Sequence, residues 1–165
     1  MSRCRRLVRL GRPGHLGHLA RRFVGSLSRR PPDPADEAWA ESNLLPGEVA
    51  LWRRMGHPDR RHSIEVARRF VTLIASGVAA GQEPRRQAVA ATLLHDVGKV
   101  ESGLGTGMRV VATLVGPRGA RLRRYHGHEQ IGLALAATAG SEAATLELLG
   151  GEGPYAAALR AADDV

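Results

Sequence analysis

Apolar residues along this chain recur at the three- and four-residue spacing of amphipathic helices, and proline and glycine divide the pattern into short segments. Prolines stand near the start of segments and glycines near the end, as at Pro46, Pro58 and Gly77, which is the asymmetry expected of helix termini. Asp33 is predicted to cap the helix that begins at Pro34. The pattern predicts an all-α protein, a compact bundle of six to eight helices.

The second half of the chain has the same punctuation. One predicted helix ends at Gly98. Residues 108–115 fit either a strand or a helix by periodicity alone, and a helix is favoured because their surroundings are helical. Ser141 is predicted to cap a helix that runs through Leu149. Pro154 is predicted to be the first residue of a terminal helix.

The first thirty residues contain a separate amphipathic pattern. One helical stripe consists of Leu16, Leu19, Ala20, Phe23, Val24 and Leu27. This helix either lies on an anionic membrane or nucleic acid, or packs its stripe on the main domain with its arginines solvated. Two regions are therefore expected: a basic, partly flexible segment at 1–32 and a helical domain at 33–165.

Composition supports a helical core and narrows the setting. Only six of the 165 residues are aromatic, so the core must consist largely of Ala, Leu and Val. The single cysteine, Cys4, excludes an internal disulfide and any zinc cluster built on cysteines. No apolar run approaches the roughly 18 residues that span a bilayer. We expect a cytoplasmic protein without a transmembrane segment.

Charge is concentrated at one end of the chain. The formal net charge is +8, but the first 30 residues hold nine arginines and no acid, whereas the other 135 hold 15 bases and 16 acids. The high pI of about 11.2 therefore describes the N-terminal segment, and the helical domain is nearly neutral.

Two adjacent residues carry the clearest chemical signal. His95 and Asp96 follow the apolar run of residues 91–94, where an unpaired carboxylate is costly and a divalent cation would compensate it. His62 lies one predicted helix earlier, on the face that also carries Val66 and Leu73, and is placed to supply a further ligand. An isolated histidine on such a face is more often a hydrogen-bonded core residue, and it is the His95-Asp96 pair that favours a ligand.

The order of these residues resembles a known family. The segments 59–63, 94–99 (Leu-His-Asp-Val-Gly-Lys), 128–132 and 159–164 resemble the HD superfamily of metal-dependent phosphohydrolases. The resemblance covers roughly residues 57–165. It implies an HD-like helical domain that holds one divalent metal ion, which could be Mn, Mg, Fe, Zn, Co or Ni.

The resemblance also implies a set of site residues. His62, His95, Asp96 and Asp163 match the metal ligands, and Asp96 is also the expected catalytic residue. Asp163 is preferred to Asp164 because the family presents its last ligand directly after an alanine.

Three further residues are expected to bind substrate. Lys99, the only lysine, is either a phosphate contact or a solvated cation at a helix end. His126 and His128 line the pocket or support the ligands, or else lie on the surface. Relatives with two metals carry a later histidine, which is missing at 145–151, so one metal is expected.

Two functions follow as hypotheses. The first is hydrolysis of a phosphate ester, plausibly a nucleotide, by a metal-bound hydroxide. The alternative is a weak or inactive HD-like scaffold that binds a partner, a membrane or nucleic acid through the basic N-terminal helix. A metal-free nucleic-acid-binding protein is disfavoured by the lack of aromatic stacking residues.

Overall fold

A computed structural model of the protein describes residues 30–77, 85–102 and 130–164. All regular secondary structure in these ranges is helical, and no strand occurs within them, which confirms the predicted all-α class. The basic amphipathic helix, the helix predicted at 108–115, and both His126 and His128 lie outside the described residues.

The helices follow one another through short connections. In chain order they are α1 (Pro34–Ser42), α2 (Pro46–Trp52), α3 (His57–Ser76), α4 (Arg86–Leu94), a 3₁₀ helix (Val97–Ser102), α5 (residues 130–138), α6 (Ala143–Leu149) and α7 (Ala156–Asp163). Among the described residues, no helix is both long enough and apolar enough to cross a bilayer.

Several predicted helix ends are confirmed. The Asp33 side chain accepts a hydrogen bond from the backbone N–H of Ala35 at 2.9 Å, and Pro34 stands in the first turn of α1. Pro46 likewise begins α2, and α3 ends at Gly77. These ends are local: a capping carboxylate or a fixed proline φ acts within one turn of its own residue.

Three predicted ends were wrong. The helix before the His-Asp pair stops at Leu94 rather than Gly98. The cap of α6 is Glu142, with no side-chain capping bond, rather than Ser141. The terminal helix begins at Ala156 rather than Pro154, after a turn in which Gly151 and Gly153 have positive φ. Glycine adopts positive φ without steric cost, so it allows a turn here, and the helix starts after this turn.

The core is centred on α4. All residues from 88 to 94 are buried, so α4 is enclosed by its neighbours rather than amphipathic. The largest fully buried side chains include Trp52 of α2, Phe70 of α3 and Leu93 of α4. Each such side chain stabilises the fold by about 1.5–3 kcal/mol relative to an exposed one. Helices α3 and α6 pack against α4, and α7 packs against α3.

Candidate metal centre

Helix α3 positions His62 one turn after its start. The neighbouring residue, Ser63, is fully buried; its hydroxyl accepts a hydrogen bond from the Trp52 indole at 3.0 Å and donates one to the Arg60 carbonyl at 2.9 Å. These bonds fix the rotation of the first turns of α3 against the core. On the predicted shared face, Val66 is buried but Leu73 is 41% exposed, so the face is apolar only near His62.

His95 is held where α4 ends. Its Nδ1 lies 2.8 Å from the carbonyl oxygen of Thr92, and a carbonyl can only accept, so Nδ1 carries the hydrogen. In a continuing α-helix that carbonyl would accept from the amide of Asp96. The imidazole takes this acceptor instead, and the chain tightens into the 3₁₀ helix that begins at Val97.

The second ring nitrogen of His95, Nε2, has surroundings that suit a metal ligand. Nε2 is buried and has no hydrogen-bond partner within ordinary distance. Its neighbours are Asp96 Oδ2 at 3.6 Å and Asp163 Oδ1 at 3.7 Å. With the hydrogen on Nδ1, a neutral imidazole turns its Nε2 lone pair toward two carboxylates. That arrangement needs a positive charge, which a proton on Nε2 or a cation between the three groups supplies.

Helix α7 places Asp163 beside His62 and His95, although Asp163 is far from both in sequence. Asp163 Oδ1 lies 3.1 Å from His62 Nε2, and the two imidazole centroids are 5.6 Å apart. Asp164, the alternative ligand, is exposed and follows the last residue of α7. The structure therefore places the carboxylate of Asp163, and not that of Asp164, beside the two histidines.

Asp96 is the fourth member of this group of side chains, the ring of His62, His95, Asp96 and Asp163. Its Oδ2 lies 4.0 Å from His62 Nε2 as well as close to His95, and its side chain is only 14% exposed. The same oxygen accepts a hydrogen bond from Lys99 Nζ. The Lys99 ammonium is therefore paired with Asp96, and its predicted role as a phosphate contact stays a prediction.

The protonation states follow from these contacts. Burial by itself lowers the pKa of the His95 imidazole, but Asp96 and Asp163 outweigh it and raise that pKa above its ordinary value. The hydrogen bond from His62 and the nearby imidazole of His95 hold the pKa of the Asp163 carboxyl far below its usual range. Burial acts to raise the pKa of Asp96, but His95, Lys99 and His62 outweigh it and lower that pKa. Both acids are therefore ionised near neutral pH.

The donor set fits a divalent cation. His62, His95 and Asp163 each offer one ligand atom, and the three atoms lie within 4.8 Å of one another. Two adjacent ligands at about 2.0–2.2 Å from one cation are roughly 3.0–3.5 Å apart. The separations of 3.1–4.0 Å given above are at or slightly above this range. The two imidazoles and the Asp163 carboxylate suit first-row divalent metals such as Zn, Fe, Mn, Co and Ni, and Asp96 lies beside these three ligand atoms rather than among them.

No family model, no curated protein and no solved structure matches this chain. The resemblance to the HD superfamily therefore stays a prediction carried by the residues themselves. What the structure adds is independent of it: three segments distant in sequence place two imidazoles and two carboxylates together.

Two contacts of the site were missed from the sequence. The Thr92 carbonyl holds His95, and Arg69 donates a hydrogen bond from Nη1 to the carbonyl oxygen of Ala162 at 3.2 Å. A backbone acceptor leaves no mark in side-chain patterns. The available signal for Arg69 was its position seven residues after His62, on the same face of α3.

Proposed function

We propose that this protein is a metal-dependent phosphohydrolase that acts on a phosphate ester, with nucleotides as the first substrate class to test. The observation that carries the proposal is the buried Nε2 of His95, which lacks a hydrogen-bond partner and faces two ionised carboxylates. A buried donor set of this kind is costly to leave uncompensated and is what a divalent cation requires.

Each residue of the ring has a role in this proposal. His62, His95, Asp96 and Asp163 hold the cation, and the Thr92 carbonyl keeps the hydrogen of His95 on Nδ1, so that Nε2 can bind. The cation, when bound, lowers the pKa of a water ligand and withdraws charge from a phosphoryl oxygen. Asp96 would accept the proton of the attacking water at a carboxylate oxygen and return it to the ester oxygen that leaves when its bond to phosphorus breaks. Burial of these groups strengthens their electrostatic interactions.

Lys99 is the cationic group for the substrate. Its side chain is 39% exposed, whereas Asp96, its partner, is 14% exposed, so the ammonium lies on the solvent side of the pair. A phosphate that approaches from solvent therefore meets Lys99 before it meets Asp96. His126 and His128 remain proposed substrate contacts from the sequence.

The test is turnover with controlled metal content. Metal-free protein is loaded in turn with Mn, Mg, Fe, Zn, Co or Ni and assayed with p-nitrophenyl phosphate and a panel of nucleotides. Asp96→Ala is expected to lower kcat/KM by at least about 100-fold, since it removes both a ligand and a proton acceptor. Asp164→Ala is the matched control and is expected to retain activity.

The outcomes separate the two hypothesised functions. Metal-dependent turnover that is lost in Asp96→Ala supports the enzyme. Stoichiometric metal binding without turnover on any phosphate ester would favour the non-enzymatic scaffold. Turnover that is equal with and without metal, or equal in wild type and Asp96→Ala, would contradict the proposed role of the site.

A further inference from the structure

The last helix holds a metal ligand near its end, and something must keep that end in place. Helix α7 spans only eight residues, Ala156–Asp163, and a helix this short is marginal without tertiary contacts. Its final carbonyls have no partners within the helix. Asp163 is thus the residue of the ring whose position depends most on contacts made by neighbouring helices.

Two consecutive residues of α3 contact the two ends of α7. At the start, the Phe70 ring packs edge-on against Tyr155, with centroids 5.9 Å apart. At the end, Arg69 Nη1 donates to the carbonyl oxygen of Ala162, the residue directly before Asp163. Ala162 is fully buried, so this bond lies beside the packed face of the helix.

The direction of the Arg69 side chain explains how it reaches the site. Side chains on a helix lean toward its N-terminus, and His62 stands two turns in that direction on the same face. The guanidinium therefore extends from its own turn toward the level of His62, where α7 ends. It is also a cation at a helix C-terminus, which is the favourable end of the helix dipole.

Each of the two terminal nitrogens of the Arg69 guanidinium contacts a different acceptor. While Nη1 binds the α7 carbonyl, Nη2 lies 3.5 Å from Glu65 Oε2, one turn earlier on α3. Glu65 restrains the arginine, and the arginine restrains α7. A lysine has a single ammonium and lacks the planar fork that serves two acceptors in fixed directions.

We infer that Arg69 is a positioning residue that clamps the end of α7 and thereby sets Asp163 against His62. The inference rests on the proposed metal site for its functional meaning, but the clamp itself is a property of the metal-free protein. Ligand-supporting contacts of this kind change metal affinity by about 10- to 100-fold when they are removed.

The test uses the full chain with Arg69→Met, which keeps the aliphatic stem and removes the donors, and Arg69→Lys, which keeps one. Arg68→Met is the matched control, because Arg68 is the neighbouring arginine and contacts Asp36 and Trp39 instead of α7. Metal affinity is measured by calorimetric titration with Mn²⁺. Amide hydrogen exchange of α7 is measured in metal-free protein.

Arg69→Met is expected to bind Mn²⁺ about 10- to 100-fold more weakly than wild type, with Arg69→Lys between the two and Arg68→Met within about twofold. Exchange at the Asp164 amide, which bonds to Arg160, is expected to rise in Arg69→Met while amides in the middle of α3 stay protected. A general loss of structure would raise exchange in both helices.

Wild-type affinity together with unchanged α7 exchange in Arg69→Met would overturn the clamp. If wild type binds no Mn²⁺ at all, the metal site is rejected, and the exchange measurement still decides whether Arg69 holds α7.

Discussion

At the scale of single residues, the main feature of the site is how the negative charges of Asp96 and Asp163 are compensated. Two ionised carboxylates face His95 Nε2 at 3.6 and 3.7 Å, and Lys99 Nζ bonds to Asp96. Asp163 relies on the imidazoles of His62 and His95. The adjacent Asp163 and Asp164 therefore differ in their surroundings although their side chains are identical.

Replacing Asp163 is expected to have a far larger effect on metal binding than replacing Asp164. Asp163→Asn keeps the size of the side chain but removes the charge, and we expect metal affinity to fall by at least about 100-fold. Asp164→Asn serves as the control and should bind within about threefold of wild type. Calorimetric titration with the same metal measures both. Equal loss in the two variants would show that the carboxylate near the histidines is not a ligand.

Metal binding is also expected to depend on pH through His95. Its raised pKa favours the imidazolium in the metal-free protein, and a metal must displace that proton. Apparent affinity should therefore rise with pH until the imidazole is neutral, with a proton released on binding. Titration in two buffers of different ionisation enthalpy between about pH 6 and 8 measures both. Affinity independent of pH across this range would contradict the assignment.

The same shifts predict how metal-free stability depends on pH. The pKa of Asp163 is lowered on folding, so its contribution is present above the unfolded value of about 3.9 and is lost as pH falls. The pKa of His95 is raised, so its contribution is complete below about 6.5 and is lost as pH rises through the folded value. Stability from this cluster should be greatest between these limits. Urea unfolding of wild type and Asp163→Asn at pH values below, between and above these limits isolates the contribution, and a difference that stays constant over all of them would count against it.

At the scale of helices, the sequence predicted those helix ends that are determined by residues within one turn of them. Pro34, Pro46 and Gly77 fix backbone geometry within a turn, and the ends they mark were confirmed. The end of α4 was placed four residues too late, because a side chain of the site, His95, competes for the backbone acceptor Thr92. Such competition depends on tertiary position and leaves no periodic signal.

One helix contact limits which side chains the fold accepts. A Cβ added at Gly47 on α2 would lie 2.0 Å from the carbonyl oxygen of Ala139, which follows α5. Because that atom is backbone, Gly47→Ala should lower the free energy of unfolding by about 3 kcal/mol. Gly56→Ala is the matched control: its Cβ meets nothing closer than 3.7 Å, and the expected cost is under about 1 kcal/mol. Urea unfolding followed by circular dichroism compares them, and equal stabilities would refute the close α2 contact.

At the scale of the whole molecule, charge and chemistry lie in different parts of the chain. The nine arginines of the first 30 residues give the protein its high pI, whereas the ring of His62, His95, Asp96 and Asp163 lies between residues 62 and 163. The sequence predicted the members of this ring from a resemblance, and the structure brings them together from helices that pack around α4. The sequence could not predict the hydrogen bonds of the Thr92 carbonyl and of Arg69, because these bonds form only when the helices pack.

This separation makes a truncation informative. A chain of residues 33–165 is expected to keep cooperative unfolding and the metal affinity of the full chain, because α1 begins at Pro34 and the ring lies well after it. Calorimetric unfolding and metal titration of both chains provide the comparison. A truncated chain that folds but binds metal at least tenfold more weakly would show that the basic segment takes part in the site.

The most direct test of the account is the number of metal ions that the purified, metal-free protein binds. Titration with Co²⁺, followed by its visible absorption, should show one ion per chain with nitrogen and oxygen ligands. His95→Ala should abolish this binding, whereas His57→Ala, which removes an exposed histidine at the start of the same helix as His62, should leave it unchanged. Absence of stoichiometric binding in wild type, or equal binding in His95→Ala, would contradict the metal centre.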